Sequence, residues 1–282
     1  MKVLSPAKIN LFLHVTGKRK DGYHELFSLM CPVSVFDEIT LEIKKKEGIT
    51  TKCDHSDVPS DESNLAHRAA ALFFETTGIK SGLSITIKKN IPVCAGLGGG
   101  SSNAASVLLH LNKHFKNPVS TKDLIRLGAS IGADIPFFLY GKPAIATGIG
   151  DLLTPYSMIP NAPIVLVRPA ISISTAKVYK SYNLTLTNNE KNSTVLSFTK
   201  ESRLDFAKHL VNDLEKVTAL IYPEIGEAKK ELMRLGAIGA LMSGSGPTVF
   251  GIFQDEITAK RAYTSIQGNG RQLFYARLLT GQ

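Results

Sequence analysis

Residues 96–102 read Gly96-Leu97-Gly98-Gly99-Gly100-Ser101-Ser102, a combination suited to holding an anion. Glycine lets a backbone approach phosphate oxygens with no Cβ in the way and permits φ > 0. Apolar residues Val107, Leu108 and Leu111 then recur at helical spacing, which predicts a helix from about Ser102 to Phe115. The first turn of a helix carries N–H groups without intrahelical partners, and its dipole is positive there. Ser101 and Ser102 add hydroxyl donors and can cap that helix. A flexible Gly-Ser turn is the alternative that the glycines alone leave open.

Two common phosphate motifs are excluded. No GxxxxGK[ST] sequence occurs, and no lysine follows the glycines. The dinucleotide fingerprint fails because Ser101 stands where its last glycine is required. The positive charge must come from elsewhere, and Lys8, Lys88 and Lys89 are the candidates. Lys8 sits in the otherwise apolar stretch Ala7–Leu13, where a solvated ammonium is hard to arrange. His110 and His114 have a metal-ligand spacing, but the zincin glutamate is missing and Lys113 adjoins them. They read as a polar helix face.

Composition narrows the classes. Hydrophobic residues make up 43% of the 282 and charged residues 20%, so a sizeable core fits and disorder of the whole chain does not. The net charge of +9 favours acidic partners. The basic residues are spread out, without the concentrated stripe of a nucleic-acid binder. Three cysteines, Cys31, Cys53 and Cys94, include no CxxC pair, which argues against a disulfide framework or a zinc site. A reducing, cytoplasmic compartment fits best. No secretory signal or apolar run of about 18 residues is visible, so no membrane association is expected.

Strands and helices must place these residues. Val3–Val15 predicts one or two strands, and Ile39–Ile43 and Leu83–Ile87 alternate as strands. Ser63–Glu75 predicts a helix. A capping box at Ser120–Asp123 starts another, ending near Gly132. Asn183–Arg203 is polar and reads as a surface excursion. Helical patterns follow near Asp205–Leu214 and Glu224–Leu235, then a strand over Thr248–Phe253. The mixture lacks a regular βαβ rhythm, so α+β in two lobes is expected, with the division near residue 160.

Three segments resemble the motifs of the kinases named for galactokinase, homoserine kinase, mevalonate kinase and phosphomevalonate kinase, the GHMP family. They are Ser5-Pro6-Ala7-Lys8-Ile9-Asn10-Leu11, then Ile91–Ala105 around the glycines, then Met242-Ser243-Gly244-Ser245-Gly246-Pro247-Thr248-Val249-Phe250. They stand in the family's order and span nearly the whole chain. Asp21–Leu26 and Gly132–Phe138 narrow the resemblance to members that phosphorylate a cytidine diphosphate sugar alcohol in the non-mevalonate route to isoprenoid precursors.

The resemblance implies a two-lobed GHMP kinase fold. Residues 1–160 would form an N-terminal lobe like the second domain of ribosomal protein S5, and residues 161–282 an α/β C-terminal lobe. It implies ATP as co-substrate, with Mg²⁺ expected on the phosphates and its protein ligands unknown. The partners would be small molecules, and the enzyme a monomer or homodimer.

Residue by residue, Asp134 would be the catalytic carboxylate, with Lys8 beside it to keep it ionised. A turn-capping role is the alternative for Asp134. Asn64, Lys89, Pro92, Gly96, Leu97, Gly98, Gly99, Gly100, Ser101 and Ser102 would bind ATP, although helix capping explains Asn64 almost as well. Asn10, Tyr23, His24, Tyr179, Gly244 and Ser245 would bind the acceptor. Gly246 would help close the site, and Gly148 and Gly150 would flank a turn facing it. Cys94 carries no expected chemistry.

Overall fold

The computed structural model describes residues 1–182 and 204–280. The expected excursion over Asn183–Arg203 lies outside them. The chain forms two compact units: residues 1–7, 35–93 and 98–141 make unit 1, and residues 8–34, 94–97 and 142–282 make unit 2. The division expected near residue 160 is consecutive along the chain, whereas the compact units interleave along it.

Strand β1 covers Lys2–Lys18 and β2 covers His24–Lys44. In unit 1 the start of β1 is fixed by Met1, whose amino group donates to the Leu41 carbonyl at 2.8 Å. The end of β2 pairs antiparallel with β4, Gly82–Lys88, and β4 pairs parallel with β3, Gly48–Cys53. Alternation places Ile39, Leu41, Leu83, Ile85 and Ile87 in the core, all at most 3% exposed. One apolar side per strand is what a sheet covered by helices on one face requires.

Four helices belong to unit 1: α1 (Leu65–Thr77), α2 (Gly99–His114), α3 (Thr121–Ile131) and α4 (Ile135–Tyr140). Phe73, Val107, Leu108, Leu111, Ile135 and Phe137 are buried among them. Helix α1 begins where the Asn64 side chain accepts from Ala66 N, and ends at Gly78 with φ 65°. The expected cap at Ser120 is present, its hydroxyl accepting from Asp123 N. Helix α2 starts one turn earlier than its apolar periodicity predicts, because Gly98 at φ 70° acts as its N-cap.

Unit 2 holds a four-stranded antiparallel sheet in the order β11 (Gln272–Arg277), β7 (Pro163–Arg168), β10 (Val249–Ile252) and β9 (Gly239–Met242). Val165, Val167, Leu232, Val249 and Phe253 are fully buried in its core. Strands β5 (Ala144–Thr147) and β6 (Leu152–Pro155) extend from the first half of β2. Helix α5 covers Thr175–Ser181.

The helix predicted over Asp205–Leu214 is broken. Residues Phe206–His209 make a short α6, Val211–Asn212 form β8 parallel to β1, and α7 begins at Asp213 and runs to Ile221. The break falls at Asn212, which is extended and caps α7 through Leu214 N. Helices α8 (Pro223–Arg234) and α9 (Glu256–Ser265) follow. Among the described residues no helix is long and apolar enough to cross a membrane.

Candidate active site

The glycine loop alternates its backbone handedness. Cys94, Gly96 and Gly98 have φ of 51°, 74° and 70°. Positive φ at alternate residues is the backbone pattern from which anion-binding nests are built. The nest runs directly into the first turn of α2, which has no acidic residue in that turn and ends in Lys113 and His114. Both ends suit the helix dipole, with the N-terminus open to negative charge. Pro92 and Leu97 are buried and hold the strand-to-helix passage.

In unit 1, Lys89 is brought to this helix start. A Cβ placed on Gly99 would lie 3.0 Å from the Lys89 ammonium and 3.0 Å from Ile91. Lys89 is therefore the candidate cation that the structure sets against the glycines. It also pairs with Asp37, the two side chains being 5% and 0% exposed. The other Asp37 oxygen accepts from Asn90 N and Ile91 N, each at 2.8 Å. Asp37 is a residue that the sequence reading did not single out. Its signal was an acidic residue on the buried side of an alternating strand.

Removing one member of a buried ion pair strands the other. Asp37→Ala is expected to destabilise the protein by about 3–5 kcal/mol in a denaturant titration. Asp37→Asn keeps an acceptor for the two backbone donors and is expected to lose less. An alanine variant within about 1 kcal/mol of the parent contradicts this account.

Ser102 is fully buried, and its hydroxyl lies 2.7 Å from that of Ser5. Ser106 donates to Ser5 at 3.1 Å. The first motif is thereby tied to α2. Ser101 faces another way: its hydroxyl lies 3.9 Å from a Cβ placed on Gly132. That contact brings the first turn of α2 to the segment carrying Asp134. Asp134 occupies the N-cap position of α4 yet makes no side-chain cap bond. The helix carries Pro136 in its first turn, where a missing N–H is tolerated.

In unit 2 the first motif, the front of the loop and the third motif meet. Lys8 N donates to Leu97 O at 3.0 Å. The Lys8 side chain is 4% exposed and donates to Asn10 Oδ1 at 2.7 Å. Asn10 donates to Ser28 Oγ at 2.8 Å, and Ser28 donates to Phe12 O at 2.6 Å. Burial of an ammonium requires partners of this kind. A Cβ on Gly244 would lie 3.4 Å from Gly96 O and 3.5 Å from Asn10 Oδ1. Ser243 Oγ donates to Gly96 O at 2.9 Å.

The expected base-stacking residues separate. The His24 and Tyr179 rings have centroids 5.1 Å apart at 31°, whereas Tyr23 is 59% exposed. Burial, then the charge of Lys18, lowers the His24 pKa, which favours a neutral imidazole. Ser245 lies 2.7 Å from Thr175, hydroxyl to hydroxyl, at the start of α5. Gly148 and Gly150 form a turn in which Gly148 O accepts from Leu26 N at 2.7 Å, just after His24. Asn64 uses both ends of its amide locally, on Ala66 N and on Pro59 O. Its observed work is to start α1.

Comparison with known proteins agrees with this arrangement. The family model for the GHMP kinases N terminal domain matches residues 64–142, and that for GHMP kinases C terminal matches residues 197–272. A 4-diphosphocytidyl-2-C-methyl-D-erythritol kinase of Syntrophus aciditrophicus is 47% identical over 264 residues, covering 94% of each chain. One of Syntrophotalea carbinolica is 49% identical over 260 residues, covering 92% of this chain and 91% of the relative. A crystal structure of 4-(cytidine 5'-diphospho)-2C-methyl-D-erythritol kinase superposes with a TM-score of 0.84 at 35% identity, covering 99% of both chains. Homoserine kinase from Cytophaga hutchinsonii shares the fold, with a TM-score of 0.79 at 19% identity, covering 99% of this chain and 94% of its own. With close relatives spanning nearly its whole length and the family's motifs meeting in its fold, this chain belongs to the GHMP kinases, in the branch of the 4-diphosphocytidyl-2-C-methyl-D-erythritol kinases.

Proposed function

We propose that this protein transfers the γ-phosphoryl group of ATP to the tertiary 2-hydroxyl of 4-diphosphocytidyl-2-C-methyl-D-erythritol, giving the 2-phosphate and ADP. The step serves the non-mevalonate route to isoprenoid precursors, and we place it in the cytoplasm. The observation that carries the choice of acceptor is the ring pair His24–Tyr179. Two adjacent π faces suit a cytosine base, and neither homoserine nor mevalonate offers one.

The roles follow from the chemistry of phosphoryl transfer. Its transition state is loose, so positioning and charge stabilisation supply most of the catalysis. The nest and the first turn of α2 would hold the ATP phosphates, with Lys89 as a nearby cation. The Asp134 carboxylate would accept or orient the proton of the attacking hydroxyl. Lys8, held by Asn10, would stabilise charge on the transferring group. The turn Gly244–Gly246 would close on the acceptor.

Mg²⁺ would neutralise the β- and γ-phosphates. Among the described residues no group of three His, Cys, Asp or Glu side chains could hold a metal ion. A Mg²⁺ ion bound with ATP needs only one or two protein carboxylates beside phosphate and water.

The test is ADP release from purified protein with ATP and each of three alcohols. Turnover with the cytidine acceptor, and little with homoserine or mevalonate, is the expected result. The reverse preference sinks the proposal.

A further inference from the structure

A polar residue far along the chain from every motif holds the third motif in place. Asn212 is 3% exposed. Its Nδ2 donates to Met242 O and to Gly244 O, each at 2.8 Å. Its Oδ1 accepts from Leu214 N at 2.9 Å, capping α7. The amide is thus divided between two jobs. One job begins a helix, and the other clamps both sides of Ser243.

The clamped turn is under close constraint. Gly244 has φ 56° and faces Gly96 O and Asn10 Oδ1. Ser243 Oγ reaches Gly96 O from the same turn. A shift of the Gly244 peptide would therefore displace both the front of the phosphate loop and the residue that holds Lys8. The named pairing of β9 with β10 ends at Met242 and Val249, and one further backbone bond, from Ser243 N to Thr248 O at 2.9 Å, reaches into the turn. Two donors from Asn212 add to that bond, on the carbonyls to either side of Ser243.

We propose that Asn212 is a positioning residue for phosphoryl transfer, acting on the reacting groups through the Ser243–Gly246 turn without touching them. The inference rests on reading that turn as part of the acceptor site.

Two substitutions separate the jobs. Asn212→Ser retains a helix cap, because serine caps as well as asparagine, but it loses the donors to both carbonyls. Its kcat is expected to fall ~10-fold or more, since small misplacements of reacting groups have effects of that size, with a smaller change in the KM for ATP. Asn212→Asp keeps the shape and sets a carboxylate against two carbonyl oxygens. That environment raises a carboxyl pKa, and the protonated form regains one donor. The kcat of this variant, relative to the parent, is expected to rise as pH falls.

Glu215→Ala is the comparison. Glu215 accepts from Met242 N at 2.7 Å, so its loss loosens the same strand while leaving the clamp on Met242 O and Gly244 O. It is expected to lower the melting temperature and keep most of kcat. An unchanged kcat in folded Asn212→Ser overturns the proposal, as does an equal loss of kcat in Glu215→Ala. If the serine variant does not fold, a flat relative pH profile in Asn212→Asp overturns it instead. Absence of turnover in the parent protein would overturn the proposed function and this inference together, which distinguishes that failure from the others.

Discussion

Asp134→Ala is expected to lower turnover by ~10²–10⁴-fold, the range for loss of a positioned acid–base group, and to leave the fold intact. The fold should survive because α4 carries proline in its first turn and is held by buried apolar side chains. Ile135, Phe137, Phe138 and Leu139 are buried and anchor that helix. ATP affinity should change little, because the nest and the start of α2 are elsewhere in the backbone. The measurements are steady-state turnover, equilibrium binding of an ATP analogue and a thermal melt. Near-normal turnover in a folded variant removes Asp134 from the mechanism. A large fall in the melting temperature would instead return it to the capping role.

Gly96→Ala is expected to damage both stability and nucleotide binding. Gly96 adopts φ 74°, a region that L side chains enter at a cost. A Cβ there would overlap the Ser243 carbonyl oxygen and lie 3.1 Å from the Gly246 carbonyl oxygen. Both neighbours are backbone and cannot swing aside. Strain and overpacking together give a loss of about 3 kcal/mol. The turn would also move out of register with the loop, and ATP affinity is expected to drop about 10-fold, which is about 1.4 kcal/mol.

Gly100→Ala is the contrast within the same loop. Gly100 is exposed and helical, and the nearest atom to a Cβ there is Leu65 Cδ1 at 3.4 Å. Alanine is favoured over glycine in a helix by up to about 1 kcal/mol. This variant should equal or exceed the parent in stability. Equal destabilisation by the two alanines would show that the close approach of Gly96 to Ser243 has no energetic weight.

The parts of the fold that sequence revealed are those with one buried face. Ile39–Ile43, Leu83–Ile87 and the helix at Ser63–Glu75 follow a single period; the two strands lie within β2 and β4, and the helix overlaps α1 from Leu65 onward. The first half of β2 was hidden because Leu29, Met30, Cys31, Pro32 and Val33 are buried in succession, and such a run has no alternation to read. Helix α4 was hidden because Asp134 and Pro136 suggested a turn, although proline is also at home in a first turn. The break at Asn212 was readable in retrospect. An asparagine followed by Asp213 and Glu215 is a helix start, and it interrupts the helical pattern read across Asp205–Leu214.

The candidate site divides in the same way. The phosphate-binding capacity of the glycines could be argued from backbone chemistry alone. Which lysine serves them could not, because the approach of Lys89 to Gly99 depends on tertiary packing around Asp37. The roles of Lys8 and Asp134 came from resemblance, since a lone lysine and a lone aspartate carry no spacing signal. Tyr23 and His24 are neighbours in sequence, yet His24 stacks beside Tyr179 while Tyr23 is exposed. Tyr23 ends the turn after Gly22 and His24 begins β2, a boundary that residue types alone do not reveal.

The phosphoryl group is expected on the tertiary 2-oxygen of the acceptor. The product formed from ATP and 4-diphosphocytidyl-2-C-methyl-D-erythritol can be examined directly by phosphorus NMR without proton decoupling. A phosphate on the tertiary 2-oxygen has no hydrogen on its carbon, so a new monoester resonance without three-bond splitting to a carbinol proton is the predicted result. A new monoester split into a doublet or triplet would place the phosphate on a secondary or primary hydroxyl and contradict the account.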